Sequence, residues 1–209
     1  MTAREAVLTA LRSARGLPVG EQVTEPIPVL QVEGDPTHAF ERNARALLAE
    51  VHRTQGWQAA WQHLESLIRA RGWQTAATWG ASAFPQPGLA DVLARSGCRA
   101  LQPSDWVSAD VGITGADAGI AATGTIVLAS GPGKPRSVSL LPPVHVALLA
   151  ESRIVPTIED WLVVNAQALP QSAGVVFVSG PSRSGDIEMV VTLGVHGPGE
   201  VHIVLVCSE

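Results

Sequence analysis

Three near-continuous apolar runs, Val144–Leu149, Gly174–Val178 and Val201–Val206, constrain this chain more than any other feature. Each is too short for a buried helix, and none alternates in the way that would leave one face in water. They read as strands of a sheet covered on both sides. A helix over Ile158–Leu169 separates two of them, and shorter units come before. Thr75–Trp79 is strand-like, Leu89–Arg95 helical and Arg99–Leu101 strand-like, and Val107–Ile113 and Thr125–Leu128 are apolar or β-branched runs bounded by glycine. Strand, helix and strand joined by short connections predict an α/β fold, an open and mostly parallel sheet covered by helices.

The first third is built differently. Only four glycines lie in residues 1–71, against twelve between Gly112 and Gly199. Thr2 with Glu5 makes a capping box for a helix whose stripe is Ala6, Val7, Ala10 and Leu11, stopped at Gly16-Leu17-Pro18. Prolines 18, 26, 28 and 36 predict an extended connection over 17–37, with a short strand at Val29–Val32. Asp35-Pro36 caps a second helix that turns Phe40, Ala44, Leu47 and Leu48 inward. A third follows Gly56, with Ala60, Leu64, Leu67 and Ile68 at helical spacing, and ends at Gly72. The expected organisation is a single domain over 1–209, with an N-terminal helix and connection in 1–34 and an α/β core in 35–209.

Composition narrows the function. With 46% apolar and 16% charged residues, the chain is rich enough to bury a core and too apolar for disorder. No apolar run approaches the roughly eighteen residues of a membrane span. The first twenty residues carry Arg4, Glu5, Arg12 and Arg15 and predict no secretory signal, hence a cytoplasmic protein. A net charge of −5 and a single lysine, Lys134, offer no basic stripe for nucleic acid. Two distant cysteines, Cys98 and Cys207, form neither a cluster site nor a disulfide framework. No cofactor is expected.

Five loops carry the candidate chemistry. The stretch 112–125 keeps its backbone bare with four glycines and offers the hydroxyls of Thr114, Thr123 and Thr125 beside Gly124. It can aim N–H groups at a carboxylate or phosphate, although it is neither a dinucleotide fingerprint nor a Walker loop. Residues 131–137 bring Lys134 and Arg136, a cation pair suited to an anion. His145 begins an otherwise apolar strand. Beyond the strand Gly174–Val178 come Ser179, Ser182, Arg183, Asp186 and Glu188, placed where open α/β sheets bind ligands, outside the carboxyl ends of their strands. Gly194-Val-His-Gly-Pro198 presents His196. No histidine–carboxylate pair has the fixed spacing of a metal motif, so no metal is expected. The six tryptophans are scattered, and most read as packing or interface residues.

Four blocks in this order, 112–125, Ser139-Leu-Leu-Pro142 with His145, Ser179–Glu188 and 194–198, resemble the LUD-domain family and its lactate-utilization protein C branch. The resemblance implies a fold similar to the NagB/RpiA/CoA-transferase-like class. It also implies a role in oxidising L-lactate to pyruvate beside iron–sulfur partner proteins. One position departs from the family pattern: Ala122 stands where a glutamate is usual, which removes a carboxylate acid, base or nucleophile there. Three readings stay open. The favoured one is a non-redox component of an L-lactate-oxidising system, with a small-anion cleft formed by Thr114, Thr123, Gly124, Thr125, Arg136, Ser179, Ser182, Arg183 and Glu188. The second is a stand-alone isomerase, ligase or acyl transferase using His196, Asp186 or His145. The third is a non-catalytic interaction module; a homodimer is compatible with each.

Overall fold

The computed structural model describes residues 2–14, 31–166, 169, 172–184 and 192–208. Helix α1 (Ala3–Ala14) has the expected capping box: Thr2 N donates to Glu5 Oε2 at 2.7 Å, and Glu5 N donates to Thr2 Oγ1 at 3.3 Å. Its stripe stays in solvent, with Val7 58% and Leu11 62% exposed. The expected helix stop at residues 16–18 and most of the extended connection fall outside the described residues. Gln31 and Val32, the described part of the expected short strand, are irregular.

Helix α2 (Pro36–Ala46) is capped by Asp35, whose Oδ1 accepts the Thr37 N–H at 3.1 Å. Phe40 and Ala44 are fully buried, as their spacing predicts. Leu48 is not: it is 58% exposed, with φ at +68°. The helix closes on itself there, since Leu48 N donates to Arg45 O at 2.9 Å and Ala49 N to Ala44 O at 3.1 Å. Leucine thus occupies the left-handed position that glycine usually fills after a helix.

Strand β1 (Glu50–Gln55) has no apolar signal; only Val51 and Thr54 of its six residues are buried. Helix α3 (Gly56–Arg71) buries Ala60, Leu64 and Ile68 and ends on left-handed Gly72, as expected. Then follow β2 (Thr75–Thr78), α4 (Leu89–Ser96), β3 (Arg99–Ala100), β4 (Val111–Gly115), β5 (Ala118–Ile120) and β6 (Thr125–Ser130). The chain continues through β7 (Val144–Ala150), β8 (Ile154–Val155), α5 (Ile158–Asn165), β9 (Gly174–Val178), β10 (Arg183–Ser184), β11 (Thr192–Leu193) and β12 (Glu200–Cys207). Val107 leaves the expected strand to sit in a 3₁₀ turn, 73% exposed.

Six strands form an open sheet in the order β1-β12-β7-β4-β2-β3, parallel throughout. Every residue of β4, and all of β12 after Glu200, is buried, so both faces of the sheet are covered. Helix α3 packs on β1 and β12, and α2 on β1 and β8. A second sheet, β8-β5-β6-β9, packs through β5 against β7. One expectation is corrected here. The run Gly174–Val178 is no central parallel strand but the edge strand β9, paired antiparallel with β6 and only half-buried. The argument from carboxyl ends of parallel strands therefore does not apply to the loop that follows it.

Leu48→Gly tests the helix end. Leaving the left-handed region recovers about 1–2 kcal/mol, and glycine's extra unfolded-state entropy returns roughly half of that. Chemical denaturation should show a net gain of about 0.5–1 kcal/mol; a loss would mean that Leu48 has a packing role.

Candidate functional site

The turn between β5 and β6 and the loop after β9 meet at the C-terminal end of α2. Glycine makes both approaches possible. A Cβ on Gly124, which has φ +64°, would lie 2.1 Å from Ala44 N, and one on Gly180, with φ +81°, would lie 2.1 Å from Leu47 O. The Asn43 side chain fastens the first turn, its Nδ2 donating to Ala121 O at 2.8 Å and to Ala122 O at 3.1 Å. Arg183 fastens the second, its Nη2 donating to Leu47 O at 2.7 Å. A guanidinium on the last carbonyls of a helix also meets the negative end of the helix dipole.

Across this seam runs a chain of hydroxyls. Thr125 Oγ1 lies 2.8 Å from Thr123 Oγ1 and 2.8 Å from Ser179 Oγ. Thr125 is buried, whereas Thr123 and Ser179 are exposed at the two ends. Three hydroxyls carry three protons and two serve the internal bonds; with Thr125 donating in one of them, the third O–H is left at an exposed end. Beside the turn, Ala122, Asn43, Arg42 and Glu33 line a cavity of about 400 Å³. Ala122 thus opens towards Arg42. Larger hollows of about 570 and 640 Å³ lie on the α3–α4 face and beside Trp73, and neither adjoins the hydroxyl chain.

The structure brings together Thr123, Gly124, Thr125, Ser179 and Arg183. Ser182 adjoins them and holds the next turn: Ser182 N donates to Pro198 O at 2.8 Å and Gly194 N to Ser182 O at 2.9 Å. His196 lies exposed in that turn. Arg136 is elsewhere, against Gly174, at the far end of the β6–β9 ladder. At about 3.4 Å per residue, five residues along the ladder, that is roughly 17 Å from the hydroxyl chain. Lys134, its companion in the sequence reading, is held by Asp117 at 2.6 Å and lies 5.1 Å from the centre of the Trp79 ring. Asp186 and Glu188 lie outside the described residues.

Thr114 and His145 are fully buried within the parallel sheet and bonded to each other, with His145 Nε2 2.9 Å from Thr114 Oγ1. His145 Nδ1 has no partner among the described residues. Burial pulls the imidazole down to a pKa of about 4, so it is neutral at pH 7. Asn43, Arg42 and the Leu47 carbonyl are absent from the sequence reading, because their partners lie many tens of residues away and no local pattern marks them.

The fold so described is an open α/β fold. A DUF162 family protein from Deinococcus radiodurans shares it, with a TM-score of 0.62 at 20% identity over 82% of this chain and 96% of that one. The LUD domain model matches residues 37–206, and the chain belongs to that family. A Halalkalibacterium halodurans protein named lactate utilization protein C is 37% identical over 66% of this chain and 64% of its own length. An Exiguobacterium protein of the same name is 45% identical over 48% of this chain and 45% of its own length. The chain therefore covers less than two thirds of either relative. An uncharacterized protein of Neisseria meningitidis aligns over 100% of this chain and 95% of its own length at 27% identity. Among the described residues no helix is long and apolar enough to cross a membrane.

Two outcomes follow from this geometry. Gly124→Ala combines left-handed strain with a clash against α2 backbone, and should cost about 2–5 kcal/mol in chemical denaturation. A loss under about 1 kcal/mol would mean that the turn does not seat on α2. His145 ties stability to pH. Its folded pKa of about 4 lies below the ordinary 6.5, so between these values the unfolded chain binds more protons. Its contribution is complete above pH 6.5 and is lost as pH falls towards 4. The change is on the order of 3 kcal/mol. His145→Asn should flatten the fall of the unfolding midpoint between pH 7 and 4.5; an unchanged slope would show that the imidazole is not the group responsible.

Proposed function

We propose that this chain is a non-redox component of L-lactate utilization, binding a small carboxylate at the seam between the 121–125 turn, the 179–183 loop and the end of α2. The hydroxyl chain Thr123–Thr125–Ser179 beside Arg183 carries the reading. It offers one free O–H, and Arg183 keeps four N–H donors after the one given to Leu47 O. A carboxylate can take a paired contact from such a fork together with the hydroxyl. The names of the Halalkalibacterium and Exiguobacterium relatives support lactate as the context.

Oxidation of lactate to pyruvate releases two electrons and two protons. An iron–sulfur cluster takes four ligands, usually cysteine thiolates, and this sequence has two cysteines, both buried on separate elements. On this reading the electrons go to iron–sulfur partner proteins, and this chain holds substrate, product or the partner in place. Ala122 fits that division of labour, because the turn carries no carboxylate to act as base.

Titration calorimetry with L-lactate and pyruvate tests the proposal, read beside lactate-dependent growth of a deletion strain carrying each variant. Arg183→Lys keeps the charge and loses the fork. A charge-assisted contact is worth roughly 1.5–3 kcal/mol, so affinity should fall about ten- to hundredfold. Thr125→Val breaks the hydroxyl chain and should weaken binding in the same direction with less effect on melting temperature than Gly124→Ala. Unchanged affinity and growth in Arg183→Lys would overturn the assignment.

A further inference from the structure

The parallel pairing of β1 with β12 sets Glu50 opposite His202 and places His52 two residues further along the same edge. His52 Nε2 lies 3.1 Å from His202 Nδ1, and Glu50 Oε2 lies 3.5 Å from His202 Nδ1 and 3.9 Å from His52 Nε2. The other nitrogen of His202, Nε2, donates to Glu200 Oε1 at 2.7 Å. That bond fixes the tautomer and leaves Nδ1 as a bare lone pair directed at His52 and Glu50.

We propose that Glu50, His52 and His202 form a zinc-class metal site, with Glu200 as the carboxylate behind His202. Two nitrogens each about 2.05 Å from a tetrahedral zinc stand about 3.3 Å apart. The two imidazole atoms meet that spacing as they are. Glu50 is exposed, and its Oε2, 3.5 Å from His202 Nδ1 and 3.9 Å from His52 Nε2, is the one ligand atom that has to close in. Two neutral imidazoles and one carboxylate suit Zn²⁺ better than the oxygen-only sets that hold Ca²⁺ or Mg²⁺. Three protein ligands leave a fourth position, open to solvent on the Glu50 side.

The surroundings agree with this. His202 is fully buried and His52 partly so. A third imidazole, His63, stands with its ring centre 4.5 Å from that of His52. Arg71 pairs with Glu200 and with Glu50 Oε1, at 3.5 Å in the second case, and so leaves Glu50 Oε2 for the metal. The alternative for the pair is an ordinary hydrogen bond in which His52 Nε2–H donates to His202 Nδ1. Titration with metal separates the two. The site goes beyond the proposed carboxylate seam and does not depend on it.

The experiment uses the full chain without a histidine tag, stripped by chelator and dialysed. Zn²⁺ is titrated by calorimetry, and Co²⁺ by the visible absorption of a four-coordinate ion. One Zn²⁺ per chain is expected, displacing Co²⁺, with a rise in melting temperature that the chelator reverses. His52→Ala should abolish the stoichiometric event. Glu50→Gln, on an exposed side chain with little bearing on folding, should weaken it at least tenfold. Glu200→Gln should weaken it about 10- to 100-fold, as loss of a supporting carboxylate does. If His52→Ala fails to fold, Glu50→Gln and Glu200→Gln decide. No uptake by the wild-type chain, or uptake undiminished in the variants that fold, would overturn the site.

Discussion

The molecule is held together by the insertion of its last strand, β12, between its first and seventh. Seven consecutive residues of β12, Val201 to Cys207, are buried, with β1 on one side and β7 on the other. Without that strand the parallel sheet would part into an isolated edge and a four-stranded remainder, each exposing an unpaired ladder and an apolar face. The pairing joins residues 152 apart in β1 and 56 apart in β7, as in Glu50↔His202 and Glu200↔Val144. Contacts this distant close late, because the loop entropy must be met before the ladder returns anything. The same insertion fixes both ends of the chemistry. The turn 194–199 feeds into β12 and is bonded to Ser182 and, through Gly199 N, to Pro143 O at 2.9 Å.

Local physics made most of the elements legible. The capping box at Thr2, the Asp35-Pro36 start, the glycine stop at Gly72 and the apolar runs of β7 and β12 are signals confined to a few residues, and each marks its element. Strand β1 was not legible, because Glu-Val-His-Arg-Thr-Gln is a polar hexapeptide made into a strand by the neighbour it pairs with. Strand β9 was legible as a strand and misread in position. Its apolar run suits a covered central strand, yet it forms the edge of the second sheet. Leu48 was misread for a related reason. The helical period predicts it inward, and the helix ends one turn too early to keep it there.

For the candidate site the same division holds. Gly124, Thr125, Ser179 and Arg183 share a seam, and Gly124, one of the four glycines of the 112–125 stretch, is where a Cβ would strike α2 backbone. What the sequence lacked was the other wall. Asn43 and the Leu47 carbonyl belong to a helix whose own pattern marks only its buried stripe. Arg136 and His145 illustrate the opposite error, in which a residue type suited to chemistry is taken up by structure: one lies along the start of β9, and the other is closed within the sheet.

Arg183 then has two tasks that compete. As the donor to Leu47 O it completes the end of α2, and as the proposed anion contact it would turn the rest of its fork to solvent. A planar guanidinium can do both only while Leu47 stays in place, so occupancy of the seam and order at the end of α2 are coupled. That end runs directly through Leu48 and Ala49 into Glu50, the first residue of β1 and the exposed carboxylate beside His202. The loop on the other side runs from Arg183 through Ser182 to the 194–199 turn and on to Glu200. Both paths reach the β1–β12 edge within a few residues, by covalent chain and direct hydrogen bonds. If both proposed sites are occupied, these segments are the path by which seam and metal edge would be linked, each changing the other's affinity by the same factor.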